Sequence, residues 1–152
     1  MFYECTSIEE INFSNFKASS NMAMTKMFYG CTQLKSLDLS TFNTSQVTNM
    51  IYMFYECNSL KFLDISNFDA RSISEDIGIT FEGLNNTKYI NLDNVQNFDK
   101  LKSSILKLTG KSDLIVCQKD DIIDNVMGIG DLAQSPMSFN FFFKIFLIFL
   151  IF

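Results

Sequence analysis

The chain of 152 residues contains no histidine, no tryptophan and only one proline. The absence of histidine removes the commonest general base, the Ser-His-Asp arrangement and the usual zinc ligand together. The four cysteines form no C-x-x-C pair, which would have suggested metal or redox chemistry. Asp38 and Asp64 could form a carboxylate pair, but no supporting base accompanies them. We therefore expect a non-catalytic protein without a cofactor or a metal.

Positive charge is scarce as well. The formal net charge is -5 at pH 7, and the sequence shows no basic stripe of the kind that binds a phosphate backbone, so no nucleic-acid partner is expected. No secretory signal opens the chain either, because Met1 is already the first residue of a repeated motif. Terminal repeats are usually atypical and polar, so this start favours a fragment of a longer protein.

An internal repeat organises the chain. The segments MFYEC, MFYGC and MFYEC begin at positions 1, 27 and 53, a constant step of 26 residues. Apolar residues recur in the same columns, as in Ile11, Leu37 and Leu63, and a degenerate fourth copy includes Phe81. A unit of this length cannot bury its apolar face alone, so the period predicts copies stacked into a solenoid.

Each copy changes from loop to alternating apolar residues at the pattern L-x-x-L-x-L, which is typical of a short strand. Stacked copies would align these strands into a parallel sheet. We predict strands near residues 10–14, 36–40, 62–66 and 89–93, and a fifth at 113–118.

The connections between the strands carry helical spacing. In the second copy, apolar residues spaced 3, 3, 1 and 3 over residues 47–57 occupy one face of a helix, with Thr44 or Ser45 as the N-cap. The third connection contains Gly78, so its helix should be shorter or distorted, and another helix is expected at Asp99–Leu108. The predicted fold is an α/β solenoid with a short parallel sheet on the concave side and short helices outside.

Cys5, Cys31 and Cys57 share one column of the repeat, where the fourth copy has Leu84. Replacement of cysteine by leucine favours a small, buried, apolar side chain, so we predict thiols in the core. Stacked copies would also bring neighbouring Cα atoms within disulfide range, so a bridge in an oxidising compartment stays open as the alternative.

The concave sheet is the candidate contact surface. The residue that follows each strand centre is polar in all four copies, and we expect this column to point outward. Solenoids commonly bind through this face, and aromatic side chains amid polar ones can act as anchors. The alternative is a solvated face whose side chains hydrogen-bond along the column. The predicted partner-binding residues are Ser36, Asp38, Phe62, Asp64, Tyr89 and Asn91.

The period is lost near the end of the chain. We predict a solenoid of about 4.5 copies over residues 1–118, a cap or linker over 119–138 and an apolar tail over 139–152. As a helix, the tail FNFFFKIFLIFLIF would cover about 21 Å of the roughly 30 Å hydrocarbon core of a membrane. Three interpretations stay open: a truncated membrane anchor, a cleaved lipid-anchor signal, or translated noncoding sequence.

The motif MFYGC-x-x-L-x-x-LDLS-x-F-x-TS-x-VTNM closely resembles the repeat of BspA-like leucine-rich-repeat surface proteins. Such repeats occur in bacteria and some protists, and in related mycoplasma and lactobacillus surface lipoproteins. The resemblance covers residues 1–95 and implies a cell-surface protein that adheres to host proteins or other cells without catalysis. A protein partner is therefore expected, with membrane attachment through the tail. The alternative is an intracellular repeat scaffold, or a gene fragment, whose tail is an artefact.

Overall fold

The computed structural model describes residues 1–16, 24–69, 77–93, 95, 98–109 and 114–117. All of them belong to one unit, Met1–Gln118. The predicted linker over 119–138 and the predicted tail over 139–152 lie outside the described residues. Among the helices that the structure describes, none combines the length and the apolar character needed to cross a bilayer.

Within the described residues, five strands form one parallel sheet in chain order. The register follows the repeat, because Leu37 lies opposite Leu63 and Leu63 lies opposite Ile90. The α/β class and the parallel sheet are confirmed, although each strand is shorter than predicted. The strands are β1 (Glu10–Ile11), β2 (Ser36–Asp38), β3 (Phe62–Asp64), β4 (Tyr89–Asn91) and β5 (Ile115–Cys117).

The described part of the chain contains two helices, α1 (Ile77–Thr80) and α2 (Phe98–Thr109). The second confirms the helix predicted at Asp99–Leu108, and the first is the short helix expected in the third connection. The prediction of a helix over residues 47–57 is wrong. Within this segment, residues 51–56 form a series of turns.

Backbone geometry explains why this connection does not form a helix. Tyr52 and Glu56 have φ angles of 56° and 61°, in the left-handed region that a right-handed helix cannot contain. The backbone groups pair with the neighbouring copy instead, as where the Phe28 N–H donates to the Met53 carbonyl at 3.0 Å. The apolar spacing of this segment therefore comes from successive turns that each bury a side chain.

The core consists of apolar columns, with one residue from each copy. Four phenylalanine rings follow one another with centroids 5.5, 6.1 and 5.9 Å apart. On the sheet side, Leu37, Leu63 and Ile90 are fully buried. Each copy thus covers the apolar surface of the next, which is what a repeat of this length requires. The phenylalanine column comprises Phe2, Phe28, Phe54 and Phe81.

The cysteine column lies in this core as thiols. Cys31 and Cys57 are fully buried, and their Sγ atoms donate to the carbonyls of Phe2 at 3.1 Å and Phe28 at 3.2 Å. Burial raises the pKa of Cys31 to about 11 and the pKa of Cys57 to about 12. The predicted core thiols are therefore confirmed at these two positions.

We expect Cys5 to react with iodoacetamide about tenfold faster, or more, than Cys31 and Cys57 near pH 8. The thiolate is the nucleophile, and the raised pKa keeps the two buried thiols protonated at this pH. Cys5 is only half-buried. Mass spectrometry of peptides after timed quenching measures each rate, and the rates should converge in urea. Equal rates in the folded chain would contradict the burial of the column.

Candidate functional site

The six predicted contact residues lie on neighbouring strands of the sheet but differ in exposure. Ser36, Phe62 and Asn91 are buried, with 3, 9 and 7% of their surface exposed. Ser36 lies opposite Phe62, which lies opposite Tyr89, and side chains on one face of paired strands cover each other. Their role in partner binding stays a prediction. The half-buried members of the set are Asp38, Asp64 and Tyr89.

The polar column has a structural use in every copy. A side-chain Oδ1 atom accepts the backbone N–H of the residue two positions later, at 2.8, 2.9, 2.9 and 3.1 Å in the four copies. This arrangement is an Asx turn, in which a short polar side chain takes a backbone donor away from the ladder of the sheet. The turns end the strands, which is why each strand is short. The residues of this column are Asn12, Asp38, Asp64 and Asn91.

Asp64 makes two kinds of contact within this column. Its Oδ1 atom accepts the Ser66 N–H, and its Oδ2 atom accepts the amide of Asn91 at 3.0 Å. Burial raises the pKa of Asp64 and the neighbouring Asp38 carboxylate raises it further, whereas the hydrogen bonds from Ser66 and Asn91 oppose this rise. Hydrogen bonding along the column, which the sequence left open as an alternative, therefore occurs between these two strands.

Asp38→Ala is expected to lower the free energy of unfolding by about 1 kcal/mol, because the Ser40 N–H loses its acceptor. Asp38→Asn is the matched control, since Asn12 and Asn91 make the same hydrogen bond in their own copies. Urea unfolding followed by circular dichroism measures both variants. If Asn and Ala cost the same, the turn is not the reason for the loss.

A second surface, which the sequence reasoning missed, lies on the turns between copies. Tyr3, Tyr29 and Tyr55 hold the third position of the repeated MFY segment. Their rings stack with centroids 5.2 Å apart at both steps and with planes inclined by 17° and 18°. Tyr3 is 49% exposed, and the other two are half-buried. The repeated motif signals this surface, because its tyrosine recurs at the same 26-residue step as the phenylalanine that precedes it.

Tyr52 and Lys26 extend this ladder of rings. The Tyr52 ring meets the Tyr55 ring at 83°, with centroids 5.4 Å apart. The Lys26 Nζ atom lies 5.5 Å from the ring centroid of Tyr29 and 6.0 Å from that of Tyr52, within cation–π range. We name this surface the tyrosine face; it comprises Tyr3, Lys26, Tyr29, Tyr52 and Tyr55.

Carboxylates border the tyrosine face. Glu4 and Glu56 each follow a ladder tyrosine directly, Glu82 holds the ladder position in the fourth copy, and all three are exposed. A hydrogen bond with Glu4 raises the pKa of Tyr3, and burial together with the charge of Glu56 raises the pKa of Tyr29. The face therefore combines tyrosine rings and hydroxyls with negative charge, a setting that favours a cationic group.

Comparison with protein families identifies a related group. The family model described as "Mycoplasma protein of unknown function, DUF285" matches residues 1–110, a range that includes the tyrosine face and the first four strands. Neither a comparison with curated proteins nor a comparison with solved structures found a match.

Proposed function

The chain belongs to this mycoplasma family, and on that premise we propose that it is a non-catalytic module for adhesion or protein interaction at the cell surface. The observation that carries the proposal is the register of the sheet, in which each strand pairs with its equivalent in the next copy. Equivalent side chains therefore stand next to one another and form continuous surfaces. Repeat arrays use such extended surfaces to bind partners.

For the fold, we propose a leucine-rich-repeat solenoid of the BspA-like type, with the sheet on its concave side. Two features support it. The strands pair in parallel, one from each copy, and the turns form a second ladder of their own, as where the Phe2 N–H donates to the Met27 carbonyl at 3.0 Å. Backbone pairing on two sides of each copy is what a stack of like units needs, because buried polar groups must find partners.

On the sheet, Asp38, Asp64 and Tyr89 retain exposed surface and are the predicted contact residues best placed to meet a protein partner. Tyrosine is favoured at interfaces because it supplies a large contact area with few rotatable bonds. We expect Tyr89→Ala to reduce attachment of beads coated with the full chain to cultured animal cells by several fold. Tyr89→Phe, which keeps the ring, is the matched control. Unchanged attachment of the Tyr89→Ala beads would remove the sheet face from the proposal.

The location is tested on intact cells that express the chain. Lys35 and Lys61 are exposed, so a membrane-impermeant amine reagent should label them from outside if the module faces outward. Mass spectrometry then compares the two labelled peptides from intact and lysed cells. Labelling on intact cells supports the surface module, whereas labelling only after lysis overturns it.

The second candidate is an intracellular repeat scaffold. The thiol state of Cys5, Cys31 and Cys57 favours it, because unpaired cysteines aligned in one column are more typical of a reducing compartment. The same labelling experiment separates the two candidates, since the scaffold predicts labelling only after lysis.

A further inference from the structure

We propose that the tyrosine face binds a cationic segment of a protein partner, one that carries arginine side chains. The inference rests on the proposed function, because it names a surface and a partner chemistry for an interaction module. It does not depend on the six residues of the sheet.

The position of Lys26 shows that this face accepts a cation. Its ammonium group lies within cation–π range of Tyr29 and Tyr52, which stand near the start and at the end of the second copy. An incoming guanidinium would meet the exposed ring of Tyr3 and the exposed carboxylates of Glu4 and Glu56 beside the ladder. Arginine suits this combination better than lysine, because a planar, weakly hydrated guanidinium stacks on aromatic rings and donates to a carboxylate through two N–H groups.

The stacking of the ladder decides where a ligand can contact it. Tyr29 has a ring 5.2 Å away on each side, from Tyr3 and Tyr55, so its two faces are covered. A sugar or a guanidinium would therefore contact the ring of Tyr3, which is 49% exposed, rather than stack on the central ring. An acidic partner would meet Glu4, Glu56 and a chain whose net charge is -5, and like charges repel.

The rings are also held in place before any partner arrives. Tyr55 contacts Tyr29 in the stack and Tyr52 at 83°, so its position is fixed by two neighbours. Preorganised side chains lose little conformational freedom on binding, and tyrosine and arginine are both enriched among the residues that dominate interfaces. The fold thus orders the rings of the tyrosine face before binding, so their side chains lose little conformational entropy when a partner binds.

The test uses the full chain in nonionic detergent and three synthetic peptides of equal length. One alternates arginine with glycine, one alternates lysine with glycine and one alternates glutamate with glycine. The chain has no tryptophan and five tyrosines, four of which belong to the tyrosine face, so tyrosine emission reports contact directly. We expect the arginine peptide to change this emission, the lysine peptide to bind more weakly, and the glutamate peptide to have no effect.

A pair of double variants locates the binding. Glu4→Gln with Glu56→Gln removes two charges beside the rings and should weaken arginine-peptide binding by about fivefold. Glu10→Gln with Asp99→Asn removes two exposed charges elsewhere and should change it by less than about twofold. Equal weakening by the two pairs, or equal affinity for the arginine and lysine peptides, would show general charge attraction and overturn the proposal.

Failure of this inference is distinguishable from failure of the proposed function. If the amine labelling places the chain at the surface but the arginine peptide leaves tyrosine emission unchanged, only the inference about the tyrosine face is wrong. If the peptide binds as expected but labelling occurs only after lysis, the surface role fails and the tyrosine face belongs to an intracellular module.

Discussion

Replacing Gly83 with alanine is expected to reduce the free energy of unfolding by about 3 kcal/mol. Gly83 has a φ angle of +95°, which residues other than glycine rarely adopt. A Cβ atom there would lie 2.6 Å from the backbone N of Glu56 and 3.1 Å from the Cα of Tyr55. Both atoms belong to the backbone of the third copy, so relief requires the fourth copy to move away from it. Urea or thermal unfolding followed by circular dichroism measures the loss.

Gly30→Ala is the matched control, because Gly30 holds the equivalent position in the second copy. Its φ is +70°, and an added Cβ would approach the Glu4 side chain at 3.2 Å, an atom that can shift. Moreover, Glu4 and Glu56 hold the same turn position with φ of 53° and 61°, so a side chain is tolerated there. We expect a cost of about 1 kcal/mol. Similar losses at Gly30 and Gly83 would mean that backbone contact between copies is not the cause.

The sheet could be predicted from the sequence because its determinants repeat. The column of Leu37, Leu63 and Ile90 recurs at a nearly constant step, and stacking equivalent residues leaves a single register. The lengths of the strands could not be predicted from this recurrence of apolar residues. Asp38 and Asp64 are the last residues of their strands, because each side chain accepts a backbone N–H and closes a turn where alternation predicts two further strand residues. That choice depends on local hydrogen bonding, which hydrophobic periodicity does not record.

The connection over residues 47–57 illustrates a second limit. Apolar residues spaced three and four apart occur both in a helix and in consecutive turns. The left-handed backbone at Tyr52 and Glu56 is compatible only with turns. Neither residue is a glycine, so no sequence signal marked the conformation. The tyrosine face differs in this respect, because the recurrence of tyrosine at the third position of the MFY segment did signal its ladder of rings.

Phe54→Ala is expected to have the largest effect of any single substitution considered, a loss of about 4 kcal/mol in the free energy of unfolding. Phe54 is fully buried, and its ring lies between those of Phe28 and Phe81, with centroids 6.1 and 5.9 Å away. Removing the ring opens a cavity between three copies at once. Because each copy is stabilised chiefly by its two neighbours, the stack is weakened on both sides of the substitution.

Phe2→Ala tests whether position in the column matters. Phe2 belongs to the same column but is half-buried, and within that column its ring stacks on Phe28 alone, at 5.5 Å. The same substitution there should cost less than half as much as at Phe54, about 1 to 2 kcal/mol. Urea unfolding of the two variants gives the ratio. A loss at Phe2 as large as at Phe54 would contradict stabilisation by neighbouring copies, because the residue with one stacked neighbour would then matter as much as the residue with two.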